Sequence, residues 1–211
     1  MRMASFAFVF LISTTGAALS QAGPAERPVL DCTEFSRTTD EAALAKRFGK
    51  ENVVRGKLDG AEGETVPGTI VYPRDPARRL EISWWDTAKR RGLADITVKG
   101  KSEWLVRTPG TAQSTLGLRA SLDLVEKANE KPFQLNGFGW DYGGYGMGWK
   151  GGRLDHPTGG CSLSVRFNPD PAVTGKALDR ASGDKEFGSS DPVVRAVKPY
   201  VSSITLGWPE K

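Results

Sequence analysis

A single histidine bounds the chemistry open to this chain of 211 residues. Any Ser-His-Asp or Cys-His nucleophilic system would have to run through His156. That residue sits in Gly151-Gly152-Arg153-Leu154-Asp155-His156-Pro157-Thr158-Gly159-Gly160, which reads as a solvated, turn-rich loop, and no Gly-x-Ser-x-Gly turn accompanies it. One histidine and two cysteines cannot make a usual zinc ligand set, so no metal is expected. Paired carboxylates could attack a glycosidic bond. Asp141 lies among aromatic residues, but Asp155 and Asp59, its only candidate partners, have no defined spacing to it. No catalytic residue and no cofactor are therefore assigned, and an enzyme of unknown chemistry ranks third among the readings of function.

The residue types that remain are suited to binding. Residues 137–150 read Gly-Phe-Gly-Trp-Asp-Tyr-Gly-Gly-Tyr-Gly-Met-Gly-Trp-Lys. A phosphate loop is excluded, because the following helix and the Lys-Ser/Thr pair are missing. With Gly143-Gly144 as a two-residue turn, Tyr142 faces Tyr145, Trp140 faces Met147 and Phe138 faces Trp149. Side chains alternate along a strand, so these six share one face, and Asp141 with three glycines takes the other. This ladder is either core or an exposed surface. Tyr142, Tyr145 and Trp149, at the strand ends, are expected to reach solvent. In Leu80-Glu81-Ile82-Ser83-Trp84-Trp85 the parity of Leu80 and Ile82 sends Trp84 inward and Trp85 outward, which makes Trp85 an interface candidate. Arg90 and Arg91 lie beside it, within a basic run that includes Arg74, Arg78, Arg79 and Lys89. The candidate binding residues are therefore Trp85, Arg90, Arg91, Asp141, Tyr142, Tyr145 and Trp149.

Two short helices and several strands must position these residues. Thr38-Thr39-Asp40-Glu41 reads as a capping box with Thr38 as N-cap, followed by the apolar stripe Leu44, Ala45, Phe48 and a stop at Gly49. Ser121 caps a second helix with the stripe Leu122, Val125, Ala128, stopped by Asn129 before Pro132. Strands are expected at 69–72, 80–85, 93–99 and 103–107 after the first helix, and at 133–142, 145–150, 161–167 and 201–208 after the second. Leu163, Val165 and Phe167, like Ile204, Leu206 and Trp208, alternate with small or polar residues, so each strand has one bulky and one smooth face. Residues 168–199 read as a long loop, with one helical turn at 191–195.

These patterns predict an α+β fold of two tandem repeats, each a short helix followed by an antiparallel sheet, with the helices packed on one sheet face. Residues 1–22 form a signal peptide: Arg2 supplies the positive end, residues 4–12 an apolar run too short to span a bilayer, and Ser20-Gln21-Ala22 the cleavage site. Residues 23–37 are an N-terminal segment, 38–108 the first repeat and 109–211 the second. In an oxidising compartment Cys32 and Cys161 make one disulfide.

The short helix, Gly- or Asn-terminated turn and aromatic-rich sheet, in tandem, resemble the beta-lactamase inhibitor protein superfamily and the small lipoproteins of outer-membrane assembly. The matching segments are Leu44-Ala45-Lys46-Arg47-Phe48-Gly49 and residues 122–132; Lys131-Pro132-Phe133 through Trp140-Asp141 also resemble a common group of bacterial exported proteins. The resemblance implies the fold and protein binding through a sheet. The expected protein is thus periplasmic or secreted and engages another protein of the cell envelope. A glycan-binding protein is the alternative. Neither a nucleic-acid partner nor a membrane anchor is expected, since the net charge of +4 is mild and no stacking-plus-basic motif or lipobox is present.

Overall fold

The structure is a computed structural model that describes residues 26–111 and 113–210. The expected signal peptide and its cleavage point lie outside the described residues. In chain order the elements are β1 (Val29–Leu30), α1 (Glu41–Phe48), β2 (Val53–Asp59), β3 (Thr65–Val71), β4 (Leu80–Asp86), β5 (Arg91–Lys99), β6 (Leu105–Arg107) and β7 (Thr115–Gly117). Then come α2 (Leu122–Asn129), β8 (Gln134–Asn136), β9 (Gly146–Gly148), β10 (Ser162–Asn168), α3 (Lys176–Ala181), β11 (Glu186–Gly188), α4 (Pro192–Arg195) and β12 (Tyr200–Gly207). The fold is α+β and mostly antiparallel sheet. A six-stranded sheet runs β10-β12-β5-β4-β3-β2, and two three-stranded sheets, β11-β8-β9 and β1-β6-β7, flank it. Only β1 and β6 pair in parallel among the described strands. No helix among the described residues is long and apolar enough to cross a membrane.

One face of the large sheet is the core. Leu80, Ile82 and Trp84 of β4, Leu93, Ile96 and Val98 of β5, Leu163, Val165 and Phe167 of β10, and Ile204 and Leu206 of β12 are all buried. Leu44 and Phe48 of α1 and Leu122 and Val125 of α2 are buried in the same cluster. The disulfide between Cys32 and Cys161, 129 residues apart, ties the N-terminal segment to the start of β10.

Strands from both halves of the chain share the large sheet, because β12 pairs with β5. Local features recur on either side of that seam. The β4–β5 ladder is interrupted between Ser83 and Trp84, and the β10–β12 ladder between Arg166 and Phe167. The N-cap of α1, Asp40, bridges to Arg91 at the start of β5, and the N-cap of α2, Ser121, bridges to Tyr200 at the start of β12. Just before those strands, Arg90 and Lys198 both take positive φ, at 51° and 47°.

Several elements differ from expectation. Asp40, not Thr38, caps α1 by accepting from Ala43 N at 2.8 Å; a carboxylate there also complements the positive helix end. Glu41 does not reach back to the cap. It crosses to the sheet, where Thr69 and Arg55 donate to it. Ser121 caps α2 as expected, but the helix stops at Glu130 in the left-handed region, and Asn129 is buried, donating to Lys131 O and Trp149 O. The edge strand β2 was not foreseen, because Leu58 is its only buried residue. The span 168–199 is built rather than loose: it holds α3, β11 and α4, and Arg195 anchors it to Asp123 and Glu126 of α2.

The long aromatic hairpin is the largest correction. Its strands shrink to β8 and β9, and residues 137–145 form a compact loop between them. Gly139 and Gly144 turn the chain at φ 83° and 75°, which breaks the alternation the ladder needed. Gly144 is also held where a Cβ would lie 2.0 Å from Phe167 O. Phe138 and Trp149 enter the core, whereas Tyr142 is 58% exposed.

Candidate functional site on the open face of the sheet

Strand parity that buries one face exposes the other. On the face away from the core the large sheet presents Glu81 and Ser83 from β4, Asp95, Thr97 and Lys99 from β5, Ser203 and Thr205 from β12, and Ser164 and Arg166 from β10. These residues floor a broad groove of about 1520 Å³. The 137–145 loop and β9 wall one side with Trp140, Asp141, Tyr142, Tyr145 and Met147, and the β2–β3 hairpin walls the other with Leu58, Asp59 and Val66.

The floor is a hydrogen-bonded polar layer. Ser83 Oγ donates to Asp95 at 2.8 Å, and the hydroxyls of Thr97 and Thr205 meet at 3.0 Å. Lys99 Nζ sits 2.7 Å from Asp59 and 2.9 Å from Glu81, and Arg79 also pairs with Glu81, at 3.0 Å. Burial pulls the Lys99 ammonium down, but hydrogen bonds and charge from Asp59 and Glu81 outweigh it and hold the group above 10.5. The Lys99 hydrogen bond likewise holds the Asp59 carboxyl below 3.8.

Arg166 organises the wall. Its Nε donates to Gly143 O at 2.8 Å, its Nη2 donates to Asp141 O at 3.1 Å, and its guanidinium lies 4.8 Å from the Tyr145 ring centre. Asn136 Nδ2 adds a bond to Tyr142 O at 3.1 Å, and Trp140 Nε1 closes on Gly137 O at 2.9 Å. Trp140 and Tyr142 then meet edge to face with ring centres 5.5 Å apart.

The structure brings three of the expected binding residues, Asp141, Tyr142 and Tyr145, into this groove. Trp85 is 47% exposed, and its Nε1 donates to Trp208 O at 2.9 Å. It shares strand parity with Ser83 and lies about 7 Å further along β4, so it extends the open face beyond the groove. Trp149 does not belong to the surface: it is buried against Phe133, and its Nε1 donates to Leu163 O at 2.9 Å. Arg90 does not belong either. Its backbone at φ 51° turns the side chain inward, where it is 11% exposed, 3.4 Å from Glu41, and donates to Gly68 O. Arg91 is exposed and pairs with Asp86 at 3.6 Å. Two more of the basic run are engaged, Arg78 over the Tyr72 ring and near Asp75, and Arg79 on Glu81.

His156 is exposed in its loop. Asp155 is engaged by Gly151 N, and Asp59, which does share the groove with Asp141, is committed to Lys99. No group of three or more His, Cys, Asp or Glu among the described residues could hold a metal ion. Lys99, Arg166 and the Thr97–Thr205 pair escaped the sequence reading. Alternation in β5 and β12 puts the threonines on the smooth face, but the pairing of strands so distant in sequence leaves no local trace. The chain matches no protein-family model, no curated protein and no solved structure.

Proposed function

We propose that this is an exported, non-enzymatic binding protein that docks another protein of the cell envelope against the open face of its six-stranded sheet. The observation that carries the proposal is the groove itself. One sheet face is buried in a core shared with Leu44 and Phe48 of α1 and Leu122 and Val125 of α2, and the other holds a polar floor flanked by exposed Tyr142, Met147 and Trp85. Aromatic residues and Met are enriched at protein interfaces. The loop that carries Trp140 and Tyr142 is held by Arg166 before any partner arrives, which lowers the ordering cost of association. Export is supported by the disulfide.

The same reading includes an internal repeat, with residues 38–108 and 109–211 as two copies of one helix-then-sheet unit. Its support is the β4-β5 pair of the large sheet beside the β10-β12 pair, each preceded by an antiparallel pair (β2-β3 in the same sheet, β8-β9 in a neighbouring one), with the matching ladder interruptions and the matching N-cap bridges. The Tyr145–Arg166 bridge joins the β9 end of the second unit to β10. The groove then spans the junction of the two units, in keeping with the sheet-mediated binding that the resemblance to beta-lactamase inhibitor proteins implies.

The test is capture from envelope extract on immobilised protein, with Tyr142→Ala as control and insoluble peptidoglycan as a parallel bait. A saturable protein partner, reduced by Tyr142→Ala, is expected. Retention on the polymer with no protein partner would move the function to glycan binding through the Trp140–Tyr142 rings.

A further inference from the structure

Resting on the docking-face reading, the charges of the groove specify the partner's chemistry. The chain as a whole carries a net +4. Its groove is nevertheless lined by six carboxylates (Asp59, Glu81, Asp95, Asp141, Asp184, Glu186) against four basic groups (Lys99, Arg119, Arg166, Lys185). Most of the basic groups are already engaged. Lys99 is held between Asp59 and Glu81, Arg119 lies 4.4 Å from the Tyr200 ring centre, and Arg166 spends its donors on the carbonyls of Asp141 and Gly143. Asp141, Asp184 and Glu186 are exposed and outnumber the one exposed cation of their segments, Lys185, which lies between Asp184 and Glu186 in sequence. Backbone bonds bring their two segments together: Gly137 N donates to Lys185 O at 2.7 Å, and Gly183 N donates to Phe138 O at 2.8 Å.

The exposed Tyr142 ring and its partner Trp140 flank Asp141 in sequence and line the same groove as Asp184 and Glu186. A ring face draws a cation by its quadrupole, and a carboxylate draws it by charge and hydrogen bonding. We propose that the docking partner presents a basic polypeptide segment, and that a lysine or arginine side chain of that segment lies on Tyr142 within reach of Asp141, Asp184 and Glu186. The floor offers the rest of the segment the hydroxyls of Ser83, Thr97, Ser164, Ser203 and Thr205, beside charges already held by neighbours, Glu81 by Lys99 and Asp95 by Ser83. An acidic partner would face these carboxylates and is disfavoured.

The experiment uses the disulfide-bonded, nitrogen-15-labelled protein and two synthetic dodecapeptides, one alternating lysine with serine and one alternating glutamate with serine. The lysine peptide should give saturable amide shifts confined to residues 137–145 and 183–187, weakening as salt is added. The glutamate peptide should give none. Asp184→Asn combined with Glu186→Gln removes only exposed charge, and it should weaken the lysine peptide about tenfold. Scattered shifts, or equal binding by the double variant, would overturn the assignment. A partner captured through Tyr142 that binds the double variant unchanged would also overturn it, while leaving the docking face in place. Local lysine-peptide binding in a protein that captures no partner would support this chemistry and count against the docking reading.

Discussion

Thr97 of β5 and Thr205 of β12 face each other across the β5–β12 seam of the large sheet, 108 residues apart in sequence, with their hydroxyls 3.0 Å from one another. The pair sits on the floor of the groove, where the two halves of the chain meet. Each hydroxyl is the other's partner, so the two should be coupled. Thr97→Val and Thr205→Val should each cost about 1 kcal/mol, and the double variant less than their sum, because it leaves no hydroxyl unpaired. Urea unfolding of the four proteins measures the cycle; strict additivity would show that the bond contributes nothing.

Arg166 should control the order of the aromatic loop. Arg166→Met removes the bonds to Gly143 O and Asp141 O and the contact with Tyr145. Hydrogen exchange of the amides in 140–145 should accelerate, with a stability loss of about 1–3 kcal/mol. Exchange in β4 and β5 should rise only as far as that global loss requires. Unchanged protection of the loop would mean that its glycine turns suffice to hold it.

Losing the Cys32–Cys161 bond should cost about 2–5 kcal/mol, since it closes a loop of 129 residues in the unfolded chain. Denaturant unfolding with and without reductant, or of Cys32→Ser/Cys161→Ser, checks this. No change in midpoint would show that the N-terminal segment is held by β1 pairing alone.

Asp31 should contribute to pH dependence. Burial pushes its carboxyl up, but hydrogen bonds from Thr33 and Arg107 outweigh it and hold it below 3.8. A depressed carboxyl stabilises the fold above its unfolded value, about 3.9, and the contribution disappears as pH falls through the folded value. Arg107→Met should therefore reduce stability near neutral pH more than in acid in which the Asp31 carboxyl is protonated in the folded protein. An NMR titration should show the Asp31 carboxyl moving up in that variant. An equal loss at both pH values would assign Arg107 a packing role instead.

Parity in β4, β10 and β12 was legible because Leu80-Ile82-Trp84, Leu163-Val165-Phe167 and Ile204-Leu206 keep strict alternation and one buried face. It correctly sent Trp84 in and Trp85 out. The same logic failed for residues 137–145, where two glycines at positive φ remove the alternation on which it depends. Thr38 and Asp40 are both competent cap acceptors two positions apart; in the fold the Thr38 hydroxyl meets Ser36 Oγ at 2.8 Å, and Asp40 bridges to Arg91 and caps the helix. Arg90 read as surface charge because nothing local reveals that its backbone turns it toward Glu41. The groove depends on strand partners distant in sequence, so its smooth face could be foreseen but not the residues that face one another across it.

A protein partner should occupy the open sheet face. Photo-crosslinking in intact cells tests it most directly, with a photoreactive phenylalanine analogue placed singly at Tyr142, Trp85, His156 and Leu124. Leu124 is 56% exposed on α2, and His156 is exposed in its own loop, so both report proximity away from the groove. One discrete protein adduct is expected from Tyr142, the same adduct from Trp85 if the footprint extends along β4, and none from Leu124 or His156. An adduct confined to Leu124 or His156, with none from Tyr142, would contradict it and move the binding surface off the sheet.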